Sequence, residues 1–208
     1  TITKNKKIKV LIRGDSHSLD LLLILLSIKK NNEYYDFSVK NLRDADAVIY
    51  TAQFYEEDIN SLEKFELFQL AKKFNKKIII IGRAAEFYTG NISPLIFNLI
   101  QNPINLEAYK NNDKVFIDKN FYRILRDDVL KINKKLKDKA EKIGALYVDR
   151  VSLACDLPKQ SCHSITTDGY AIYGDHSHLT WKGINFFSNL AEKTNWLKPI
   201  HDLLIKNN

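Results

Sequence analysis

Serine, histidine and aspartate, the side chains that together activate a hydroxyl, sit in two short segments near opposite ends of this 208-residue chain. In "IKVLIRGDSHS" (8–18) an apolar run stops at Gly14-Asp15, and Ser16 and His17 follow at once. A serine at the first position of a helix has its N–H pointing outward, where the helix dipole favours developing negative charge. An acyl-transfer nucleophile needs that setting. The simpler alternative is that Asp15 or Ser16 only caps the helix. In "YGDHSHLTWKG" (173–183), Asp175 and His178 lie three apart just ahead of a helix start. A serine hydroxyl is a weak nucleophile until a base takes its proton, and an imidazole does so best when a carboxylate fixes its tautomer. Asp175 would hold one ring nitrogen of His178 while the other faces Ser16. The alternative is a polar loop with an incidental histidine. A metal reading of Asp175, His176 and His178 finds no further ligand cluster in the sequence to complete it.

The elements that would carry these residues alternate along the chain. Strands are expected at 8–12, weakly at 36–42, at 45–54, at 76–82 ("KKIIIIG") and at 145–153. Helices are expected through about residue 30, over 56–74, over 118–143 and over 179–197, the last with Thr180 as N-cap. Residues 84–116, with Pro94 and Pro103, read as irregular. Strands apolar on both faces, each followed by a helix, predict a parallel sheet between helix layers. Function then gathers at the carboxyl ends of the strands, where Ser16, 51–54 and Gly82-Arg83 all fall.

"GDSHS" and "DHSHLTWKG", joined by alternating strands and helices, resemble the SGNH/GDSL hydrolase superfamily. The resemblance is closest to the SGNH domains attached to membrane acyltransferases of the acyltransferase-3 type. Gly14-Asp15-Ser16-His17, then Cys155 and Cys162, then Asp175, His178, Leu179, Thr180 and Gly183 follow that family's order of motifs. The resemblance implies a flavodoxin-like three-layer αβα sandwich, with a parallel sheet of about five strands. It implies Ser16 as nucleophile, His178 as general base and Asp175 as its orienting acid, without a cofactor. It also implies an O-acyltransferase, acetyl being the expected group, that modifies a cell-surface glycan. The acyl donor would come from a membrane acyltransferase module, at the periplasmic face of a bacterial inner membrane. A carbohydrate or lipid esterase shares the same acyl-enzyme. A glycan-binding domain that has lost catalysis is a further alternative.

The departures from the family concern the oxyanion hole. No glycine lies between Gly14 and Gly82, and Thr51-Ala52-Gln53-Phe54 stands where an asparagine block is expected. Gln53, Gly82, Arg83 and Asp15 are the candidates for oxyanion or substrate contacts. His17 is expected to pack or hydrogen-bond within the site, and His163 and His176 to be surface loop residues. Phe54, Tyr55, Phe87, Tyr88 and Trp181 are candidates for a sugar-stacking wall.

Composition bounds the rest. With 45% hydrophobic and 27% charged residues, seven glycines and four prolines, residues 1–208 are expected to form a single globular domain. The net charge of +7 raises nucleic acid as a partner, but the lysines are spread along helix faces among acids, and no nucleic-acid motif is present. "LDLLLILLSI" (19–28), interrupted by Asp20, is too short to cross a bilayer. No signal peptide is visible, and a start at "TITKNKK" without any methionine suggests a piece of a longer protein, which the resemblance implies is membrane-tethered. "CDLPKQSC" has no second cysteine pair, so Cys155 and Cys162 read as a small disulfide ring or as two reduced, half-buried thiols.

Overall fold

The computed structural model describes residues 7–88 and 113–205. Of the stretch expected to be irregular, 89–112, with Pro94 and Pro103, lies outside the described residues. Strands β1 (Ile8–Gly14), β2 (Tyr35–Asp36), β3 (Ala47–Thr51), β4 (Lys77–Ile81) and β5 (Leu146–Val148) form one sheet in the order β2-β1-β3-β4-β5, every pairing parallel. The helices are α1 (Ser16–Ser27), α2 (Asn31–Tyr34), α3 (Glu56–Ser61), α4 (Glu66–Lys73), α5 (Asp113–Arg123), α6 (Asp127–Lys142), α7 (Val151–Ala154), α8 (Trp181–Lys193) and α9 (Lys198–Ile205).

Because strand side chains alternate, the sheet has two apolar faces. Val10, Ala47, Ile49, Ile79, Ile81 and Val148 pack on one side with Leu21 and Ile24 of α1 and with Ile184 and Phe187 of α8. Leu11, Val48, Ile78 and Ile80 pack on the other with Ile59 of α3, Phe68 of α4 and Leu136 of α6. The result is the expected three-layer sandwich. Its order reverses direction between β1 and β3, and a crevice opens at the carboxyl ends where such a reversal occurs.

Several boundaries differ from the expectation, each for a local reason. The second strand keeps only Tyr35–Asp36, because the Asp36 carboxylate captures the N–H and hydroxyl of Ser38 and turns the chain out of the ladder. The helix expected over 56–74 breaks at Phe65, which is extended (φ −65°, ψ 119°) with its ring among Tyr50 and Phe68. The helix expected over 118–143 breaks at 124–126, where Leu125 bridges to Phe87 and Arg126 N–H donates to Glu86 O. The strand expected over 145–153 ends at Val148, since Asp149 accepts from Val151 N–H and starts α7. After α8, Asn195 at φ 53° reverses the chain into α9, which was not expected. A short antiparallel ribbon, β6 (Cys155–Asp156) with β7 (Ser161–Cys162), carries the disulfide between the directly opposed Cys155 and Cys162.

Gly14 is the hinge on which the site turns. It sits at φ +146° at the end of β1, and a Cβ there would lie 1.6 Å from the Thr51 carbonyl oxygen. No side chain fits without moving β1 off β3. Gly14→Ala is therefore expected to lose roughly 2 kcal/mol or more of stability, read as a lower midpoint in urea unfolding. A midpoint equal to that of the unsubstituted chain would mean the turn relaxes freely.

Candidate active site

Asp15 is the N-cap of α1, with Oδ1 accepting from His17 N–H at 2.9 Å and Oδ2 accepting from Gln53 N–H at 2.6 Å. One carboxylate thus pins the start of α1 to the loop that follows β3. Ser16, exposed at the first helical position, has no intrahelical acceptor for its N–H, as the first residues of any helix do not.

Ser16 Oγ lies 2.8 Å from His178 Nε2, and His178 Nδ1 lies 2.8 Å from Asp175 Oδ2. The carboxylate assigns the ring proton to Nδ1, which leaves Nε2 with a lone pair for the serine hydroxyl. The other oxygen of Asp175 accepts from Ser177 N–H at 2.8 Å and His178 N–H at 2.7 Å. Burial works to raise the Asp175 pKa, but these N–H donors and the His178 ring outweigh it and hold the carboxyl at about 2. The loop is docked in turn. Leu179 N–H donates to Asp20 Oδ2 at 3.2 Å, one turn along α1 from Ser16, and Thr180 caps α8 by accepting from Gly183 N–H at 3.0 Å. Asp20 was not singled out from the sequence; the signal was a lone carboxylate four residues after Ser16 in an otherwise apolar helix.

His17 is buried, and its ring stacks on that of His178 with centroids 4.9 Å apart and planes 7° from parallel. Burial, reinforced by the charge of Arg150, lowers the His17 pKa and favours a neutral ring. Arg150, also buried, donates to His17 O at 2.8 Å.

The other sequence candidates have partners of their own. Gly82 donates its N–H to Val148 O at 2.9 Å, and a Cβ there would meet the Tyr147 hydroxyl at 2.5 Å and Asn133 Oδ1 at 2.9 Å, so it serves the sheet and close packing under α6 rather than an oxyanion. Arg83 is neither a surface ion pair nor open to substrate. It is buried, forked onto Glu86 through Nε at 2.5 Å and Nη2 at 2.7 Å. Gln53 offers its backbone N–H to Asp15, and its side-chain amide donates to Glu86 Oε2 at 3.3 Å. Asp15 has both oxygens engaged and acts as a structural clasp. Phe54 and Phe87 are core residues, while Tyr55, Tyr88 and Trp181 are exposed. His163 is not simply a surface residue, since its ring packs edge-on against Phe186. His176 lies in the loop with Nδ1 3.9 Å from Asp175, and its carbonyl accepts from Phe87 N–H.

No family model and no curated protein matches the chain. Among solved structures, the periplasmic domain of a lipopolysaccharide acetyltransferase from Salmonella ser. Paratyphi A is similar, with a TM-score of 0.62 at 16% identity over 92% of this chain and 85% of that one. A protein provisionally assigned as an acylhydrolase, from Bacteroides fragilis NCTC 9343, gives a TM-score of 0.49 at 16% identity, over 95% of this chain and 90% of that one. The first likeness bears out the SGNH/GDSL-type fold expected from the sequence.

The Asp175 geometry has a pH signature. A carboxyl whose folded pKa lies below its ordinary value stabilises the fold above about pH 4, and loses that contribution as pH falls toward about 2. The thermal midpoint of the unsubstituted protein is expected to drop more steeply than that of Asp175→Asn across this window. Parallel curves would show that the carboxylate is not held as described.

Proposed function

We propose that the chain is a serine-dependent acyltransferase domain that passes an acyl group, acetyl in the first instance, to a hydroxyl of a bacterial cell-surface glycan. The observation that carries this reading is the unbroken line from Ser16 Oγ through the His178 ring to Asp175, with both contacts at 2.8 Å. Ser16 Oγ would attack the acyl carbonyl as its proton passes to His178 Nε2, and that proton then goes to the departing group. In the second half, His178 Nε2 takes the proton of the acceptor hydroxyl. The acceptor oxygen bonds to the acyl carbon, and Ser16 leaves with the proton returned. Ser16 N–H, at the positive end of α1, would stabilise the oxyanion, joined by the second N–H of the Gln53 amide.

The likeness to the lipopolysaccharide acetyltransferase domain supports a glycan acceptor and an extracytoplasmic location. That a membrane module in a longer protein supplies the donor is part of the proposal and rests on the sequence resemblance alone. Among the described residues no helix is long and apolar enough to cross a membrane. Hydrolysis is the second reading, because Ser16 and His178 are open to solvent and water can resolve the same acyl-enzyme.

Incubation with p-nitrophenyl acetate tests the reading. The unsubstituted chain is expected to turn over and to show one acetyl group on Ser16 by peptide mass, while Ser16→Ala falls by at least about 1000-fold. Equal rates in the two proteins would overturn it.

A further inference from the structure

A cleft of about 400 Å³ opens beside the turn that carries Ser16, bordered by Gly14, Asp15 and Gln53 and walled by Tyr50, Tyr55 and Phe65. That volume falls in the range of small-molecule sites. We propose that this cleft is the acceptor subsite and that it takes a neutral, hydroxyl-rich sugar ring; the proposal rests on the acyl-transfer reading above.

Three features of the lining select that ligand. The first is fixed aromatic surface. Tyr55 is 50% exposed, with the Arg83 guanidinium 5.6 Å from its ring centroid, and Arg83 is itself clamped by Glu86. One side of the ring is therefore supported, and the remaining surface can stack on the C–H face of a pyranose. Phe65, 40% exposed, reaches the cleft because the helix breaks at that residue. The second is polar contact placed among the rings. Asp58 spends Oδ2 on Tyr55 N–H at 2.8 Å and has a second oxygen to accept from a sugar hydroxyl. The Tyr50 phenol is pushed up by burial, then by Asp58 and Asp15, so it stays protonated as a donor. The third is charge. The lining residues include Asp15 and Asp58 but no lysine or arginine, in a chain whose net charge is +7. A uronic acid or a phosphorylated sugar would meet two carboxylates with no cation in the lining, since Arg83 behind Tyr55 is buried and already paired with Glu86. A long acyl chain would have to desolvate those same carboxylates, which fits poorly.

Saturation-transfer NMR on the purified chain tests this with methyl α-D-glucopyranoside, methyl α-L-rhamnopyranoside and methyl α-D-glucuronide as probes. At least one neutral glycoside is expected to receive saturation and the glucuronide none. Tyr55→Ala should weaken neutral binding roughly five- to tenfold, and Tyr55→Phe should retain it. Asp58→Asn should admit the glucuronide, an outcome that stays informative even if Tyr55→Ala folds badly. Absent saturation from both neutral probes, unchanged binding in a folded Tyr55→Ala, or equal binding of the glucuronide to the unsubstituted chain would each overturn the proposal. Ser16→Ala separates the two readings. It should bind the neutral probe normally while losing p-nitrophenyl acetate turnover. Lost sugar binding with serine-dependent turnover intact would sink only the subsite.

Discussion

A 2.8 Å contact between Ser16 Oγ and His178 Nε2 joins side chains 162 positions apart, and much of the molecule can be understood as what holds them together. Neither residue is fixed by its own neighbours alone. Ser16 stands at the top of a parallel sheet because Gly14 lets β1 end against Thr51 and because Asp15 caps α1 while gripping Gln53 N–H. His178 reaches it because Asp20 of α1 holds the next backbone N–H, and because α8 lies along α1 with Ser188 Oγ donating to Ile24 O. The helix that presents the serine therefore also docks the loop that presents the histidine. This shortens the chain of tolerances between them, and an error of about 1 Å in such a pair can lower rates by orders of magnitude.

Beneath that contact, burial and charge are arranged so that the His17 ring stays neutral. A protonated His17 against His178 would place two cations on stacked rings, and burial beside Arg150 opposes it. Arg150 finds no carboxylate within ion-pair distance among the described residues and gives one hydrogen bond to His17 O. Its desolvation is a standing cost that only a well-packed surrounding can carry. Asp20, close enough to favour its charged form, offsets part of that cost, so the carboxylate that docks the histidine loop also steadies the guanidinium below.

The alternation of strands and helices was legible because β3, β4 and the 10–12 segment of β1 read as unbroken apolar runs. The convergence of Ser16, Asp175 and His178 was legible because two motifs fell at places that a parallel sheet brings to one edge. The failures share another cause. Each helix that broke did so where the chain meets a partner distant in sequence, Phe65 packing on Tyr50 and Arg126 donating its N–H to Glu86 O, and periodicity carries no information about such partners. Arg83 and Glu86 illustrate the same limit. Three residues apart in an unremarkable loop, they close into a buried fork that only tertiary packing could reveal. Gly82 misled for the opposite reason: its motif-like position at a strand end hides a packing need set by Tyr147 and Asn133.

That fork bears on how acyl transfer would proceed without the glycine and asparagine donors usual in the superfamily that the sequence resembles. An amide is useful to a developing oxyanion only if no net negative charge stands behind it. Gln53 is held by Glu86, which alone would set such a charge beside the site. The bidentate bond from Arg83, with Arg126 Nη1 a further 3.5 Å from Glu86, cancels it and leaves an oriented dipole. A glutamine with a longer reach than asparagine would need such a brace, since an unfixed amide loses much of its worth to reorganisation. Under the acyl-transfer reading, the buried ion pair thus serves both sides of the reaction. It holds one N–H of the Gln53 amide through Glu86, and it supports the Tyr55 ring against which an acceptor would lie.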